Sequence, residues 1–475
     1  MFDCVGLKSD QIKGGTMSTL SRVKSRWLTI LIVAMTLSLT SVFQPSQAAD
    51  SSFDPYDTNQ WLVQAAQEAS AIPGGGSNRQ ARSRNLSQLG FLPLPGFNAD
   101  VWAHKGFAYV GSWGTFSPVR PLCPATGVRI IDLSDRSNPT LVGAVAAIPG
   151  TSQEDVVVAR INTAFFTGDL LVTGIQACRR ITNAPRGIDL WDVTDPRNPV
   201  HLAFWPSGPF GPAGARGVHE LYLFQRGNRA YVTAAVPASE FIEGEGDFRL
   251  VDVTDPYNPV QVSDWGAIND GGLTPGPGQA FFDHSAWANQ TGRVAILSYW
   301  DAGAIFLDIS DPTNPTFIGR TIYPPGADGD THSIWLARGE NLLLTADEDF
   351  NPTNGSWGFL RVWDVKNPAA PVEIGRFATP NTTVFPPPKP GFFSIHNPFV
   401  RGQTAYLSWY SDGVRVVDIS QPRAPREIAS FVPPDTPDPF KVFPNAAVVW
   451  GVYVDRDLIL LSDINAGLYV LKHVP

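Results

Sequence analysis

Residues 304–325 read A-I-F-L-D-I-S-D-P-T-N-P-T-F-I-G-R-T-I-Y-P-P. Ala304 to Ile309 is β-branched and aromatic, which suits a strand ending in an aspartate. In D-P-T-N-P, Pro312 presets φ for a turn, and Asn314 before Pro315 is pushed out of the helical region. Thr316 to Ile322 then resumes an extended apolar pattern. One copy predicts only a hairpin, but the chain repeats the phrase. It returns from Ile130 (I-I-D-L-S-D-R-S-N-P), Leu190 (L-W-D-V-T-D-P-R-N-P), Leu250 (L-V-D-V-T-D-P-Y-N-P), Val362 (V-W-D-V-K-N-P-A-A-P) and Val416 (V-V-D-I-S-Q-P-R-A-P). The strand-end aspartates are Asp132, Asp192, Asp252, Asp308, Asp364 and Asp418, so successive subtraction gives spacings of 60, 60, 56, 56 and 54. A degenerate seventh copy is Gly467 to Lys472, with Lys472 54 residues beyond Asp418. Repeats of this length made of strands predict the blades of a propeller.

Upstream of each hairpin stands a strand centred on an aromatic: Trp102, Tyr222, Trp287, Trp335, Phe399 and Tyr453, with Val158 in its place in the second repeat. A further strand follows it, such as Ala108 to Trp113, Arg293 to Trp300 or Ala405 to Tyr410. Each unit therefore has four strands, and the fold expected is an all-β, seven-bladed β-propeller over residues 85–475. Leu86 to Pro93, L-S-Q-L-G-F-L-P, resembles the outer strand of every hairpin and precedes any blade of its own. The last repeat lacks an outer strand. The N-terminal outer strand is thus expected to complete the last blade, pairing with Leu468 to Leu471 and leaving no open edge.

Ahead of the propeller, Arg22, Lys24 and Arg26 precede an apolar run from Trp27 to Leu39, and Ser46-Gln47-Ala48 offers a small-x-small cleavage site. This is the layout of a secretory signal peptide within a pre-sequence of residues 1–48, with Met17 the better initiator. The run is short and diluted with Thr and Ser, so no stable membrane span is expected. Residues 49–84 read as a leader, with a short amphipathic helix over Asn59 to Ser70 and a flexible linker at Gly74 to Asn78. The expectation is export to the periplasm, the cell surface or the medium. Without residues 1–48 the charge is 30 − 42 = −12, which argues against nucleic acid and anionic lipid as partners. Cys4 falls in the pre-sequence. Cys123 and Cys178 lie in equivalent connections of neighbouring blades and are expected to form a disulfide in an oxidising compartment.

The V-x-V-V-D-[IV]-[ST]-x-P-x-x-P phrase resembles the LVIVD repeat of prokaryotic, often exported β-propeller proteins. The resemblance covers residues 85–475 and implies the fold; it carries no common reaction. A weaker likeness, through histidines at inner strands, is to the selenium-binding protein/methanethiol oxidase propellers, which use metal. No residue of that family's site carries over.

Three residues before each inner-strand aromatic stand Ala99, Asp155, His219, His284, His332, His396 and Trp450. Four of the seven histidines share this position, in four consecutive blades. Inner strands line a propeller's channel, so these imidazoles, with Asp155 beside them, are the candidate ligands for Zn, Cu, Fe or Ni. Asp283 and Glu220 are the nearest candidates to orient the rings. The competing reading makes each histidine a structural tie between blades. A second polar set is Asp301, Asp347, Asp412 and Asp463 at turns, which turn chemistry alone would also explain. With the strand-end aromatics Trp113, Trp300 and Trp409, these mark the loop-rich face as the expected ligand face. Asp347-Glu348-Asp349-Phe350-Asn351, followed by Asn354 and Gly355, weakly resembles a calcium loop without its terminal glutamate. No G-x-S-x-G, P-loop, H-E-x-x-H or C-x-x-C occurs, which excludes the commonest serine-hydrolase, nucleotide and redox motifs. Two classes stay open: a propeller binding metal or a small ligand, acting as a metal-dependent enzyme or only as a binder, and a noncatalytic exported scaffold for a protein or glycan.

Overall fold

A computed structural model describes residues 80–474 apart from 115–122, 124, 179–182, 209–214, 277–278, 325–326, 328, 350–355, 385–386, 388 and 439. The expected signal peptide, Met17, the leader helix and the linker lie outside the described residues.

The organising hairpin forms as read. Ala304–Asp308 pairs antiparallel with Thr316–Arg320, Asp308 opposite Thr316, with a β-bulge between Phe306 and Leu307. The same bulge falls at the same place in the other five copies, at Ile130/Ile131, Leu190/Trp191, Leu250/Val251, Val362/Trp363 and Val416/Val417. The repeated aspartate has a local cause. Asp308 Oδ1 accepts the Ser310 N–H at 2.8 Å, and Asp132, Asp192, Asp252, Asp364 and Asp418 each accept the N–H two residues on. Each carboxylate caps its own turn, which holds the Asp132, Asp308, Asp364 and Asp418 carboxyls below the usual range, chiefly through the backbone N–H.

Among the described residues seven sheets result, five of four strands and two of five, all antiparallel, making a seven-bladed β-propeller. The inner strands are Asn98–His104, Val156–Asn162, Leu221–Arg226, Ser285–Ala288, Thr331–Ala337, Pro398–Arg401 and Val449–Asp455. The seventh sheet takes Leu86–Pro93 as its fourth strand, Leu86 opposite His473 and Pro93 opposite Gly467. Arg82–Arg84, read in the sequence as part of the leader, is a fifth strand on the sixth sheet, paired with Ser430 to Val432. Blade two also gains Thr151–Ser152 on its long strand Thr167–Ala177.

Blades meet through apolar side chains, and the glycine of the outer strand receives the next blade's turn. A Cβ on Gly319 would lie 2.5 Å from the Pro368 carbonyl, and one on Gly375 2.0 Å from the Pro422 carbonyl. Glycine stands within the outer strands at these two positions because backbone passes over it. A disulfide joins Cys123 to Cys178, with Cα atoms 6.4 Å apart, and so ties blade one to blade two. Among the described residues no helix is long and apolar enough to cross a membrane.

Candidate metal centre in the channel

The four histidines reach the channel through a second bulge, at the start of the inner strands. In blade three the N–H of His219 bonds the Ala235 carbonyl, while the Ala235 N–H bonds the Glu220 carbonyl, both at 2.9 Å. Two residues thus oppose one, and His219 and Glu220 are both re-aimed from the ladder's alternation. His396 and Asn397 oppose Ser408 in the same way. His284 bonds the carbonyl of Ser298, the residue that also pairs with Ser285. In blade five the register slips between Thr331 and Ser333, leaving His332 as the extra residue.

The rings form a continuous arc. Centroids are 4.2 Å apart for His219 and His284, 3.9 Å for His284 and His332, and 4.4 Å for His332 and His396. Nε2 of His219 lies 2.7 Å from Nε2 of His284. Outward, Nδ1 of His219 meets Gln176 Oε1 at 2.9 Å and Glu154 Oε2 at 3.2 Å. Nδ1 of His396 meets the Trp450 carbonyl at 2.8 Å. Nδ1 of His284 lies 3.8 Å from Glu220 Oε1, and neither it nor Nδ1 of His332 closes a well-aligned hydrogen bond; the backbone of His332 and of His396, one blade on, lies beside these two rings. Carbonyls and a carboxylate around Nδ1 favour the tautomer whose lone pair is on Nε2, the form that binds metal.

Glu348 stands among these nitrogens, its Oε2 3.3 Å from His332 Nε2 and its Oε1 3.9 Å from His396 Nε2. The Tyr410 hydroxyl donates to Glu348 Oε1. Among the described residues two groups bring ligand atoms within 4.8 Å of one another: His332, Glu348 and His396, and Glu220, His284 and His332. His219 joins them only through its contact with His284. Asp155, expected as a ligand, belongs to neither: its Oδ2 accepts the Leu221 N–H at 2.8 Å and ties blade two to blade three. Of the expected orienting groups, Glu220 faces the next blade's histidine, with Oε1 3.8 Å from His284 Nδ1. Asp283, adjacent to His284 in sequence, is buried near Asp247 instead, both its oxygens without a hydrogen-bond partner.

Burial sets the charge. It pushes His219 and His396 down to about 3, and His284 and His332 are also held well below the usual imidazole range by burial and by each other's rings. Burial raises Asp100, Glu154, Glu220 and Glu348 well above the usual carboxylate range; mutual repulsion adds to this, while Asn397 and Tyr410 work against it at Asp100 and Glu348. A cation among them would restore the ionised form.

The two ends of the channel differ. Where the inner strands begin, Phe97, Trp113, Phe282, Phe392, Phe443 and Trp450 are buried members of one apolar cluster. The expected ligand-face aromatics are inside: Trp113 and Trp409 are 0% exposed and Trp300 2%. Of the turn aspartates Asp347, Asp412 and Asp463 are buried and Asp301 is half-buried, all occupied by local bonds. Asp301 accepts the Ala280 N–H, Asp347 takes Arg361 Nε at 2.6 Å, and Asp412 holds Thr379 and Asn381. Asp463 caps Val448, Asn465 and Ala466. With Asp347 committed to Arg361 and Glu348 turned to the histidines, the two do not converge as a calcium loop requires; 350–355 lie outside the described residues.

Toward the other end the aromatics of the inner strands form a belt. Trp102, Tyr453, Phe399, Trp335, Trp287 and Tyr222 follow one another with centroids 4.7, 4.8, 4.5, 4.9 and 4.5 Å apart. Trp102 Nε1 donates to the Val158 carbonyl at 2.9 Å, which spans the blade without an aromatic. Just inside the belt lies a throat of about 50 Å³, lined by Asp100, Asp155, Glu220, Ser333 and Asn397 with the belt residues. A hollow of about 420 Å³ between the belt and the turns at Gln290 and Arg338 to Glu340 touches none of the four histidines.

The family described as LVIVD repeat matches residues 125–147 and 295–322. No curated protein matches. Among solved structures, the designed protein Ika8 is similar at 8% identity and TM-score 0.43, over 82% of this chain and 99% of its own. The Cps50 (Swd1) β-propeller domain of Myceliophteria thermophila is similar at 13% identity and TM-score 0.48, over 80% of this chain and 98% of its own. The matched stretches are the hairpin of blade one and the outer three strands of blade four, and the chain is a seven-bladed β-propeller carrying LVIVD repeats.

Proposed function

We propose that the channel core binds a transition-metal ion through the Nε2 atoms of the histidine arc, with Glu348 as carboxylate ligand. The observation that carries this reading is the 2.7 Å contact between Nε2 of His219 and Nε2 of His284. Nδ1 of His219 meets Gln176 and Glu154 and Nδ1 of His284 lies toward Glu220, so both Nε2 atoms present lone pairs, and a cation within the arc relieves their repulsion. Imidazole with carboxylate suits Zn, Cu, Fe or Ni. The N-terminal pattern and the Cys123–Cys178 disulfide support an exported protein. Purified without a histidine tag, the protein is expected to contain about one or more equivalents of such a metal by elemental analysis. Protein that is metal-free and takes up none of these four ions overturns the reading.

A second reading is favoured by the His396 to Trp450 carbonyl bond. In it the histidines only tie blade to blade, and the propeller is a metal-free exported scaffold for a protein or glycan. It predicts that replacing a histidine lowers stability and leaves partner binding intact.

A further inference from the structure

We infer that the channel holds two metal ions, the second on the throat side among Glu220, His284 and His332, with His332 shared by both. This rests on the metal-binding reading above and extends it. The two ligand groups, each within 4.8 Å internally, have only His332 in common. Their carboxylates come from different structural positions. Glu220 is the second residue of an inner-strand bulge and lines the throat. Glu348 follows the second strand of blade five, Leu342–Asp347, on the plugged side.

Glu220 Oε1, His284 Nδ1 and His332 Nδ1 make no well-aligned hydrogen bond, although these residues are only 5%, 1% and 1% exposed. Buried polar atoms in folded proteins are nearly always paired, so three on neighbouring side chains mark a place for a ligand. Charge points the same way: Asp100, Asp155 and Glu220 line one throat, so a cation there faces three carboxyl groups. For both nitrogens of His332 to bind, its ring proton leaves to bulk water and the imidazolate gives one lone pair to each ion.

The test uses untagged full-length protein loaded with Cu(II), dialysed, and measured by elemental analysis and electron paramagnetic resonance. Two ions per chain are expected, with an integrated spin well below two because the shared imidazolate couples them. Glu220→Gln is expected to reduce the count from two to one and to restore one uncoupled spin, with its far-ultraviolet circular dichroism unchanged. One ion per chain in the unaltered protein, or two fully uncoupled spins, overturns the second site and leaves the first standing. No ion at all overturns the metal-binding reading itself. If Glu220→Gln fails to fold, the spin count of the unaltered protein still decides.

Discussion

The two ends of the channel are built from the same seven strands and have opposite characters. The end carrying the longer connections is filled by aromatic side chains, with Phe97, Trp113 and Phe392 fully buried. The end carrying tight turns is lined by a partly exposed aromatic belt and opens into an acidic throat. In many folds long loops build the binding surface and short turns are inert. Here the longer segments shield the histidines from water, and the throat that reaches Glu220 lies on the side of the short turns.

The comparison breaks first if the histidines do not act as a unit. His332→Ala with His396→Ala is expected to abolish metal uptake, an affinity loss of at least about a hundredfold, with the blades intact by circular dichroism. Retention of metal by the double variant rules the arc out. Next comes the plug. Phe443, 3% exposed, should cost about 3–5 kcal/mol when cut to alanine. Tyr453→Ala in the half-exposed belt should cost less in urea unfolding, and equal losses would erase the distinction between sealed and open ends.

Titration sharpens it further. On the sealed side, burial raises Asp463 from 3.8 to about 6. Between these values the folded protein keeps a proton that the unfolded chain has shed, so stability falls as pH rises through that window, by about 1–3 kcal/mol. Asp463→Asn should reduce that slope by the share of Asp463, the other raised carboxyls keeping theirs, whereas Asp457→Asn at the exposed turn end should leave it unchanged. A slope unchanged by Asp463→Asn assigns the effect elsewhere. The smallest effect concerns access. Trp335→Ala in the belt should speed metal release to a small chelator about tenfold, a barrier change of about 1.4 kcal/mol. Phe440→Ala beside the plug should change it far less; the reverse order would move the entrance to the loop side.

The blades were legible in the sequence because each aspartate is fixed by local chemistry. Asp308 caps its own turn whatever its blade packs against, and a locally determined residue repeats wherever its hairpin repeats. The histidine register was legible for a related reason, since the aromatic three residues on marks the same strand in each copy. Glu348 was not. It occupies the position of Trp300 and Tyr410, whereas alignment on the turn aspartates sets Ala346, two residues earlier, against Trp300, because those aspartates occupy unequal turn positions. Aligning the second strands on Ser298, Ala346 and Ser408 would have exposed a glutamate where other blades carry an aromatic. Trp409 was grouped with Trp300 as a strand-end aromatic, when Tyr410, one residue on, is its equivalent. Trp300 and Tyr410 share a left-handed backbone, φ 44° and 33°, and each rests beside a histidine ring. Glu220 was named as an orienting group, but the bulge turns it toward His284, which strand alternation does not foretell.

The inner-strand bulge also has a consequence for how such a centre can arise. It is a socket, present in successive blades and held by main-chain bonds that are indifferent to the side chain presented. Duplication of a blade therefore copies the address along with the scaffold. A single substitution then changes the occupant without disturbing the sheet behind it. Ala99, Asp155 and Trp450 stand at the corresponding addresses in blades one, two and seven. They are an empty place, a strut and a wall in a ring whose other four places hold imidazoles.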